Sequence, residues 1–568
     1  MWGPPRPTYN ISVNGDKAFP ISRNLRKALD DLRYPDKTRV VWADAICINQ
    51  LDITEREHQA KLMRQIYACA EVACAWIDHN VGPGGGPFED LPRLGHGVEI
   101  DDFFDPAYWY PVADIFRNPY WRRLWIQQEL ILARRHQVYC RRNVFDGQEL
   151  LQFQKNVNDT IFKAFKVQSP RLQLSRYIDG RGKGEPVVPQ ILYGGILRAR
   201  REIAKAQKSS KRSDRSSGQI EVDPAAVTGS LLDLFYQSEG LRMTDPKDRV
   251  YGVLGIATDT SEDDIAVDYN APVVQVYSQV FRLFIKRYRS LAFLCFGSPI
   301  SNSELSLPTW MQGKDISWGT ARASRACSNA RADHASIDHV TSILSVEGFM
   351  ADTISFVGDR EPMKSKPIFH WLSRLEEHCR TLWPRASGHD LHEREDVTTL
   401  LFPWLGPGRY KSMCRTDKPT AEERRDLLRS LSAAASKVNK DGFSVEDVTT
   451  GGYTPVHVLS RDERERCLFM SVTLGMMIFI GTKAGRLGTV NLKCPVNPGD
   501  QVWILFGCPM PIILRPKPNE KNRYLVLGSA IIPGLMNGEA VDQPSQSSEP
   551  GLPGNTTPSI KATRIELE

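Results

Sequence analysis

The sequence lacks the short motifs that mark the best-known enzyme classes. It contains no Walker A loop, no Rossmann glycine fingerprint, no HExxH zinc motif, no GxSxG elbow and no protein-kinase set. Its 11 cysteines include no CxxC pair and no Cys/His cluster with the spacing of zinc ligands, and their number is odd. We therefore expect reduced thiols in a cytoplasmic protein that needs neither a metal nor a bound cofactor.

Signals for secretion and for a membrane are also missing. The N-terminus has no basic segment followed by an apolar core. The longest apolar run, CLFMSVTLGMMIFIG, is shorter than the ~18 residues that a membrane span needs. Lys plus Arg exceed Asp plus Glu by 73 to 67 over 568 residues, which is too dilute a charge to indicate nucleic acid. With 41% hydrophobic residues, the composition favours a globular chain of several domains.

Residues 1–150 alternate strand-like and helix-like patterns. NISVNG predicts a hairpin that turns at Asn14-Gly15, and SRNLRKALDDLR predicts a helix capped by Ser22 or Asn24. RVVWADAICI and VACAWI predict buried strands on either side of a helix, EREHQAKLMRQIYACA, and HQVYC resumes the strand pattern. This order predicts an α/β domain with a parallel sheet covered by helices.

The remaining chain is less regular. It divides into a mainly helical region (151–319) with a disordered basic linker at about 205–220, a variable mixed region (320–450), a β-rich unit (451–541) and a disordered tail (542–568). A further Gly/Pro-rich loop is expected at 79–106. Binding of nucleic acid by the basic run at 200–215 is an alternative that we consider weaker, because the run is short and polar enough to be a solvated loop.

The stretch YWRRLWIQQELIL predicts a helix from Asn118-Pro119 to about Arg134, with Asn118 as its cap. Spacing by four would place Trp121, Trp125 and Glu129 in one row. A carboxylate between indoles is a candidate reactive group. The alternative is a helix acid whose hydrogen bonds are satisfied beneath a packed indole.

Arg122 and Arg123 would lie in the first turn of this helix, where the helix dipole disfavours a cation by ~0.3 to 1 kcal/mol. Their position suggests that they face an anion such as a phosphate. The alternative is that both are solvated or paired with acidic side chains.

Asp44, Asn49 and Gln50 follow a predicted buried strand. Ligands of open parallel sheets bind at the carboxyl ends of strands, so these side chains are candidate ligand contacts. The alternative is that they cap the turn that follows. The segment DPKDRVYGVLG, at Asp245 onwards, and the turn at Gly499-Asp500 are better explained as structural, because no nucleophile and base converge there.

Two long blocks carry a family resemblance. VVWADAICINQLDITEREHQAKLMRQIYACAEVACAWI and NPYWRRLWIQQELILARRHQVYC resemble the fungal heterokaryon incompatibility (HET) domain. DPKDRVYGVLGIA and GDQVWILFGCPMPIILRP resemble segments that commonly accompany that domain. The resemblance implies a role in fungal nonself recognition and regulated cell death, with an unknown protein partner.

HET domains are similar to Toll/interleukin-1 receptor (TIR) domains, so the resemblance implies a TIR/flavodoxin-like sheet. Some TIR domains cleave NAD with a glutamate on a W-x-x-x-E pattern, which here matches Trp125 and Glu129. The resemblance then implies Glu129 as the catalytic residue and NAD as a substrate. Trp125, Arg122, Arg123, Asp44 and Asn49 would bind that substrate.

The family normally begins with a strand of the type Y-x-A-L-S-Y-x-W-G, and this chain begins at Met1-Trp2-Gly3, as if it entered at the last two residues of that motif. The first strand of the sheet is therefore expected to be missing, which would leave neighbouring strands with unpaired edges. This predicts an upstream start codon or a degenerate, truncated copy that folds poorly. A further alternative is a non-catalytic scaffold that self-associates through the HET domain.

Overall fold

A computed structural model describes the chain in several stretches, and its folded part divides into two compact units. The first unit lies within residues 1–219 and 228–276, and the second within 220–227 and 277–568. No helix among the described residues is long and apolar enough to cross a membrane. The described residues are 9–78, 115, 118–140, 143–147, 149–150, 229–238, 241–261, 263–296, 307–311, 326–358, 422, 426, 477–542 and 562–568.

The first unit begins with a hairpin and a helix, both as predicted. Strands β1 (Tyr9–Val13) and β2 (Asp16–Ile21) pair antiparallel. Asn14 and Gly15 join them with φ of 52° and 86°, the left-handed conformation that a tight hairpin turn requires. Helix α1 (Arg23–Leu32) starts at Ser22, whose hydroxyl accepts the Leu25 N–H at 3.2 Å.

The strand predicted from RVVWADAICI is wrong. Residues 38–43 form no strand, and a short helix, α2 (Asp44–Cys47), occupies its second half. The apolar run lacks a partner strand among the described residues, and Val40 is 97% exposed. A β-branched run becomes a strand only when a neighbour supplies hydrogen bonds and packing, so its propensity is not expressed here.

A mixed sheet forms the centre of the described first unit. Helix α3 (Ile53–Cys69), capped by the Asp52 carboxylate, leads into β3 (Ala73–Ile77). Strand β3 pairs in parallel with β4 (His136–Cys140), which pairs antiparallel with β5 (Asn143–Asp146). The predicted parallel pairing is therefore confirmed for β3 and β4, in an α/β unit whose described sheet has three strands, although the predicted strand before α3 does not form.

The predicted helix from residue 118 to 134 is broken in two. Asn118 caps a 3-10 turn, Pro119–Arg122, as the Asn-Pro signal predicted. Arg123 is then extended and bridges to Arg242, before helix α4 (Ile126–Leu132) begins. Because the break rotates the two halves, the prediction that Trp121, Trp125 and Glu129 form one helical row is wrong.

Helices α5 (Leu231–Gln237) and α6 (Asp248–Leu254) complete the first unit. Helix α7 (Val273–Tyr288) starts in the first unit and belongs to the second unit from Tyr277 onwards. Helix α6 begins shortly after Asp245-Pro246. Asp248 and Arg249 do not pair with each other, because the Arg249 Nε donates to the Phe235 carbonyl at 3.0 Å.

The second unit is rich in strands, as predicted. After 3-10 turns at Ala292–Phe296 and Thr309–Met311, its elements are β6 (Ser336–Ile337), β7 (Leu344–Val357), β8 (Met477–Thr482), β9 (Leu487–Asn491), β10 (Gln501–Leu505), β11 (Ile512–Pro516), β12 (Arg523–Ile531), α8 (Glu539–Asp542) and β13 (Thr563–Leu567).

Pairing closes these strands into a ring. Strand β7 pairs with β8, β8 with β9, β9 with β12, β12 with β11, β11 with β10, and β10 returns to β7, each time antiparallel. Alternate side chains face a shared apolar core that includes Ile354, Val490, Ile504 and Ile513. Asp500, at the predicted turn, accepts from the Arg515 Nε at 2.8 Å, which supports its structural role.

The prediction of a disordered tail over 542–568 is wrong for its end. Residues 563–567 form β13, because Ile565 and Leu567 alternate with polar residues and fit a half-buried strand. The predictions for 79–106, for most of 151–228 with its basic linker, for 359–476 apart from residues 422 and 426, and for 543–561 lie outside the described residues. All eight cysteines within the described residues are free thiols.

Candidate functional site

Glu129 lies on α4, and phenols from two other elements hold its carboxylate. Tyr120, from the 3-10 turn, donates its hydroxyl to Glu129 Oε2 over 3.0 Å. Tyr67, near the end of α3, also bonds this carboxylate. Burial, followed by the negative charge of Glu129, raises the pKa of both phenols well above the ordinary value. Both phenols therefore stay protonated and act as hydrogen-bond donors at neutral pH.

The pKa of Glu129 is itself raised. Burial of the carboxylate is the largest cause, and the nearby carboxylate of Asp44 adds to it. The positive charge of Arg123 and the hydrogen bond from Tyr120 lower the pKa and offset part of this effect. A carboxylate shifted in this way, beside a cation and facing a cleft, is typical of a functional site.

Local structure explains how Arg123 and Asp44 reach the same place. Arg123 is extended because Leu124 N–H donates to the Arg242 carbonyl at 3.0 Å, which holds this segment between the 3-10 turn and α4. Asp44 is the first residue of α2, and its carboxylate accepts the N–H of Ala45 at 2.8 Å. The structure thus brings Asp44 to Arg123 and Glu129, although Asp44 comes from a distant segment of the sequence.

The carboxylate opens onto a cleft of about 860 Å³. Asp44, Glu71 and Glu129 supply its acidic groups, and Arg123 and Arg135 are among its cations. Its described aromatic lining consists of Tyr34, Trp42, Tyr67, Trp76 and Tyr120. A cleft with flat apolar faces, a few cations and a carboxylate has the polarity expected for a nucleotide-like ligand.

The aromatic groups are fixed by their own contacts. Trp42 packs edge-to-face on Tyr67, with ring centroids 6.0 Å apart. Trp76, on β3, donates its indole N–H to Asp31 at 2.7 Å. Arg39 also lines the cleft, and its guanidinium donates to the Leu32 carbonyl at 2.7 Å and to the Tyr139 hydroxyl at 3.0 Å.

Trp125 faces away from the cleft and anchors α4 to α6. Its indole N–H donates to Asp248, which also accepts the Tyr269 hydroxyl at 2.7 Å. Burial raises the pKa of Asp248, and these two hydrogen bonds lower it again in part. Gln128 Nε2 donates to the Gly252 carbonyl at 3.0 Å. The structural role of the DPKDRVYG segment is therefore to hold α4, the helix that carries Glu129.

Two other candidates lie outside the lining of the cleft. Asn49 accepts the Leu51 N–H through its side chain at 3.2 Å, and Gln50 donates to the Asp44 carbonyl at 3.0 Å. Both therefore organise the turn before α3, as the capping alternative predicted. Arg122 is not among the described residues that line the cleft, and its backbone carbonyl accepts from the Arg242 N–H.

Sequence reasoning missed Tyr67 and Tyr120. Tyr120 lies nine residues before its partner Glu129, a spacing that no single helix would bring together. Tyr67 is an ordinary member of an amphipathic helix in the sequence, so no local pattern identifies it. In the part of the chain that the structure describes, no cluster of three or more His, Cys, Asp or Glu side chains could hold a metal ion.

Comparison with known proteins places the site in a family. Residues 1–129 match the model of the heterokaryon incompatibility protein (HET) family, and residues 454–548 match the Het-6 beta-barrel domain. "Heterokaryon incompatibility protein 6, OR allele" of Neurospora crassa is 24% identical over 95% of this chain and 89% of its own length. The chain is therefore similar to a fungal heterokaryon incompatibility protein over most of its length. No solved structure matches it.

The HET match ends at Glu129, so nearly the whole cleft lies inside it. Arg135 and Gln137, which also line the cleft, come after the match, as does the whole of β4. The Het-6 barrel match covers β8 to β12. Strands β7 and β13 pair into the same barrel but lie outside that match.

Proposed function

We propose that this HET-domain protein acts in fungal nonself recognition and triggers regulated cell death by cleaving NAD in the cleft at Glu129. The relative from Neurospora bears the name of a heterokaryon incompatibility protein, which supports the biological role. The observation that carries the chemical proposal is the Glu129 carboxylate, which receives a hydrogen bond from Tyr120 and faces a cleft beside Arg123.

The chemistry fits these groups. Nicotinamide in NAD is already a cationic leaving group, so the site has to stabilise an oxocarbenium-like ribose as the bond breaks. An ionised carboxylate against the ribose does this by charge, and more strongly where water is excluded. Arg123 offers a cation for the pyrophosphate, and Trp42 and Tyr67 offer flat faces for a ring. NAD is here a substrate, and no resident cofactor is required.

We also propose that the first unit has a TIR/flavodoxin-like fold. The parallel pairing of β3 with β4, with α3 leading into β3, supports this assignment. In such folds ligands bind outside the carboxyl ends of the strands. The protein would then work in the cytoplasm, where NAD is abundant.

The test is release of nicotinamide from NAD by the purified full-length protein. Glu129→Gln keeps the size and most hydrogen bonds of the side chain but removes its charge, so turnover should fall by at least about 100-fold. Glu71→Gln is a matched control, because Glu71 lines the same cleft but is exposed. Turnover that survives Glu129→Gln would disprove the role of this carboxylate.

The pH dependence provides a second, independent readout. Only ionised Glu129 can stabilise the cation, so turnover should be lost as the pH falls through its raised pKa. Tyr120→Phe removes a hydrogen bond that lowers this pKa and should move the acidic limb of the profile to higher pH. An acidic limb that does not move would show that another group controls the rate.

A second candidate function is a non-catalytic scaffold that self-associates through the HET domain. It is favoured by large apolar side chains that are exposed on this unit, namely Val40, Val41, Leu51 and Ile53. In this case Leu51→Lys and Ile53→Lys, two positions outside the lining of the cleft, would abolish concentration-dependent assembly, which analytical ultracentrifugation measures. The same variants should leave turnover of NAD unchanged if the enzyme proposal is correct.

A further inference from the structure

The last strand of the chain lies in a groove of the second unit. Strand β13 runs antiparallel to the first part of β7, with register from Thr563 opposite Gly348 to Leu567 opposite Leu344. On its other edge it runs parallel to β12, where Glu568 N–H donates to the Tyr524 carbonyl at 3.0 Å. The end of the chain is therefore bound as an added strand with hydrogen bonds on both edges.

Side chains of β13 follow a simple recognition pattern. Ile565 and Leu567 are almost fully buried. Glu566 and Glu568 instead meet two cations of the groove: the Arg523 Nε lies 2.9 Å from Glu566, and the Lys517 Nζ pairs with Glu568. The groove thus selects two apolar side chains that alternate with two carboxylates.

The walls of the groove do not depend on β13. Strands β7 and β12 both belong to the ring of β7, β8, β9, β12, β11 and β10, which closes without it. Departure of β13 would leave this ring intact and would expose one edge on each wall. A preformed groove with two free edges is a site for another strand.

We propose that this groove also binds the C-terminal strand of a second copy of the chain, so that two copies exchange β13 reciprocally. A strand from a second copy carries the same apolar and acidic pattern and restores every contact that the departing strand made. Residues 543–561 join β13 to the helix α8 that precedes it. Exchange of a strand that lies outside the closed ring needs no change in the barrel itself.

Charge reversal in two full-length variants tests the proposal. The first variant, Lys517→Glu with Arg523→Glu, has an acidic groove that repels its own strand. The second, Glu566→Lys with Glu568→Lys, has a basic strand that its own basic groove repels. In a reciprocal dimer of the two, the acidic groove meets the basic strand and the basic groove meets the acidic strand. An equimolar mixture should therefore form a 1:1 dimer that neither variant forms alone.

Size-exclusion chromatography with light scattering, at roughly equal concentrations of the two chains, measures this outcome. A single chain with all four substitutions is the matched control. This control restores complementary charges between groove and strand within one copy. Like the first variant, it also replaces Lys517 and Arg523, the two cations that Glu520 contacts in the native chain. It should show the same mass as the native protein.

If the mixture contains only the species seen for each variant alone while the fourfold variant folds normally, the proposal is overturned, and the groove serves only its own strand. If the fourfold variant does not fold, the binding of a labelled peptide decides the question. The peptide has the sequence of residues 561–568, and its binding to the second variant is measured, because the groove of that variant repels its own strand. Saturable binding that is lost when Ile565 and Leu567 are replaced by Asp in the peptide supports exchange, and no binding overturns it.

Discussion

Replacing Glu129 with Gln should stabilise the first unit at neutral pH while it removes activity. The pKa of Glu129 is raised, mainly by burial, so the folded protein holds its proton more tightly than the unfolded chain does. The stabilisation that the protonated acid gives is complete below the unfolded value of about 4.5. It is lost as the pH rises through the folded pKa.

At pH 8 the native protein therefore carries the cost of a buried carboxylate, which the neutral amide of the Glu129→Gln variant avoids. Each unit by which the folded pKa lies above the unfolded one corresponds to about 1.4 kcal/mol, so the measured gain reports the size of the shift. The carboxylate of Asp44 adds to the cost, and Arg123 and the Tyr120 hydroxyl reduce it. The gain should shrink as the pH falls toward 4.5, because the folded protein takes up the proton of Glu129 at a higher pH than the unfolded chain does.

Hydrogen exchange followed by mass spectrometry measures this stability locally, in peptides that cover residues 118–132. A local measurement is needed because the chain has two units and need not unfold in one step. Slower exchange of Glu129→Gln at pH 8, after correction for the intrinsic rates, and nearly equal exchange near pH 4.5 would agree with the reasoning. Faster exchange at pH 8 would refute it and would show that the pairing with Arg123 outweighs burial.

Three further substitutions probe the packing around α4. Trp125→Phe removes the donor to buried Asp248 and should cost about 1 to 3 kcal/mol in the same exchange measurement, whereas exchange in the barrel peptides stays unchanged. Gln127 is 2% exposed, and its side-chain amide has no hydrogen-bond partner among the described residues. Gln127→Met should therefore stabilise the first unit by about 1 to 2 kcal/mol. A loss of stability would show that the amide has a partner. Gly252→Ala would place a Cβ 2.8 Å from Leu124 Cδ2 and should cost about 1 to 3 kcal/mol by overpacking, and thermal unfolding unchanged from the native protein would contradict the tight contact.

The parts of the fold that short-range chemistry determines were predictable. Asn14-Gly15 requires a left-handed turn, Ser22 caps a helix, and Asn118-Pro119 starts one, because each effect involves residues within a few positions of one another. The strands of the barrel within 451–541 were predicted for the same reason, since their alternating patterns are interrupted by turn residues, whereas β7 lies in the region expected to be variable and mixed.

Parts that depend on distant partners were not predictable. The apolar run around Val40 has the pattern of a strand but finds no neighbour among the described residues. The extended backbone at Arg123, which breaks the predicted helix, exists because Arg242 pairs with it from another segment. Strand β13 was missed because the disorder predicted from the Pro/Ser-rich stretch was extended to residue 568.

The candidate site shows the same division. Glu129 was identified through the W-x-x-x-E pattern of the resemblance, but Trp125 does not line the cleft with it, because the indole bonds Asp248. Tyr120 and Tyr67 reach Glu129 only through the tertiary fold. A sequence can therefore suggest the reactive carboxylate, but its donors emerge only from the packed structure.

The anchoring of α4 bears on how this domain can be studied in isolation. A fragment cut at the end of the family match would stop at Glu129 in the middle of its helix. It would lack β4, the only strand that pairs with β3 among the described residues, and the α6 residues that hold Trp125 and Gln128. A fragment that includes all the contacts holding α4 has to run to about residue 276, where the first unit ends. This fragment is about twice as long as the segment that matches the HET family.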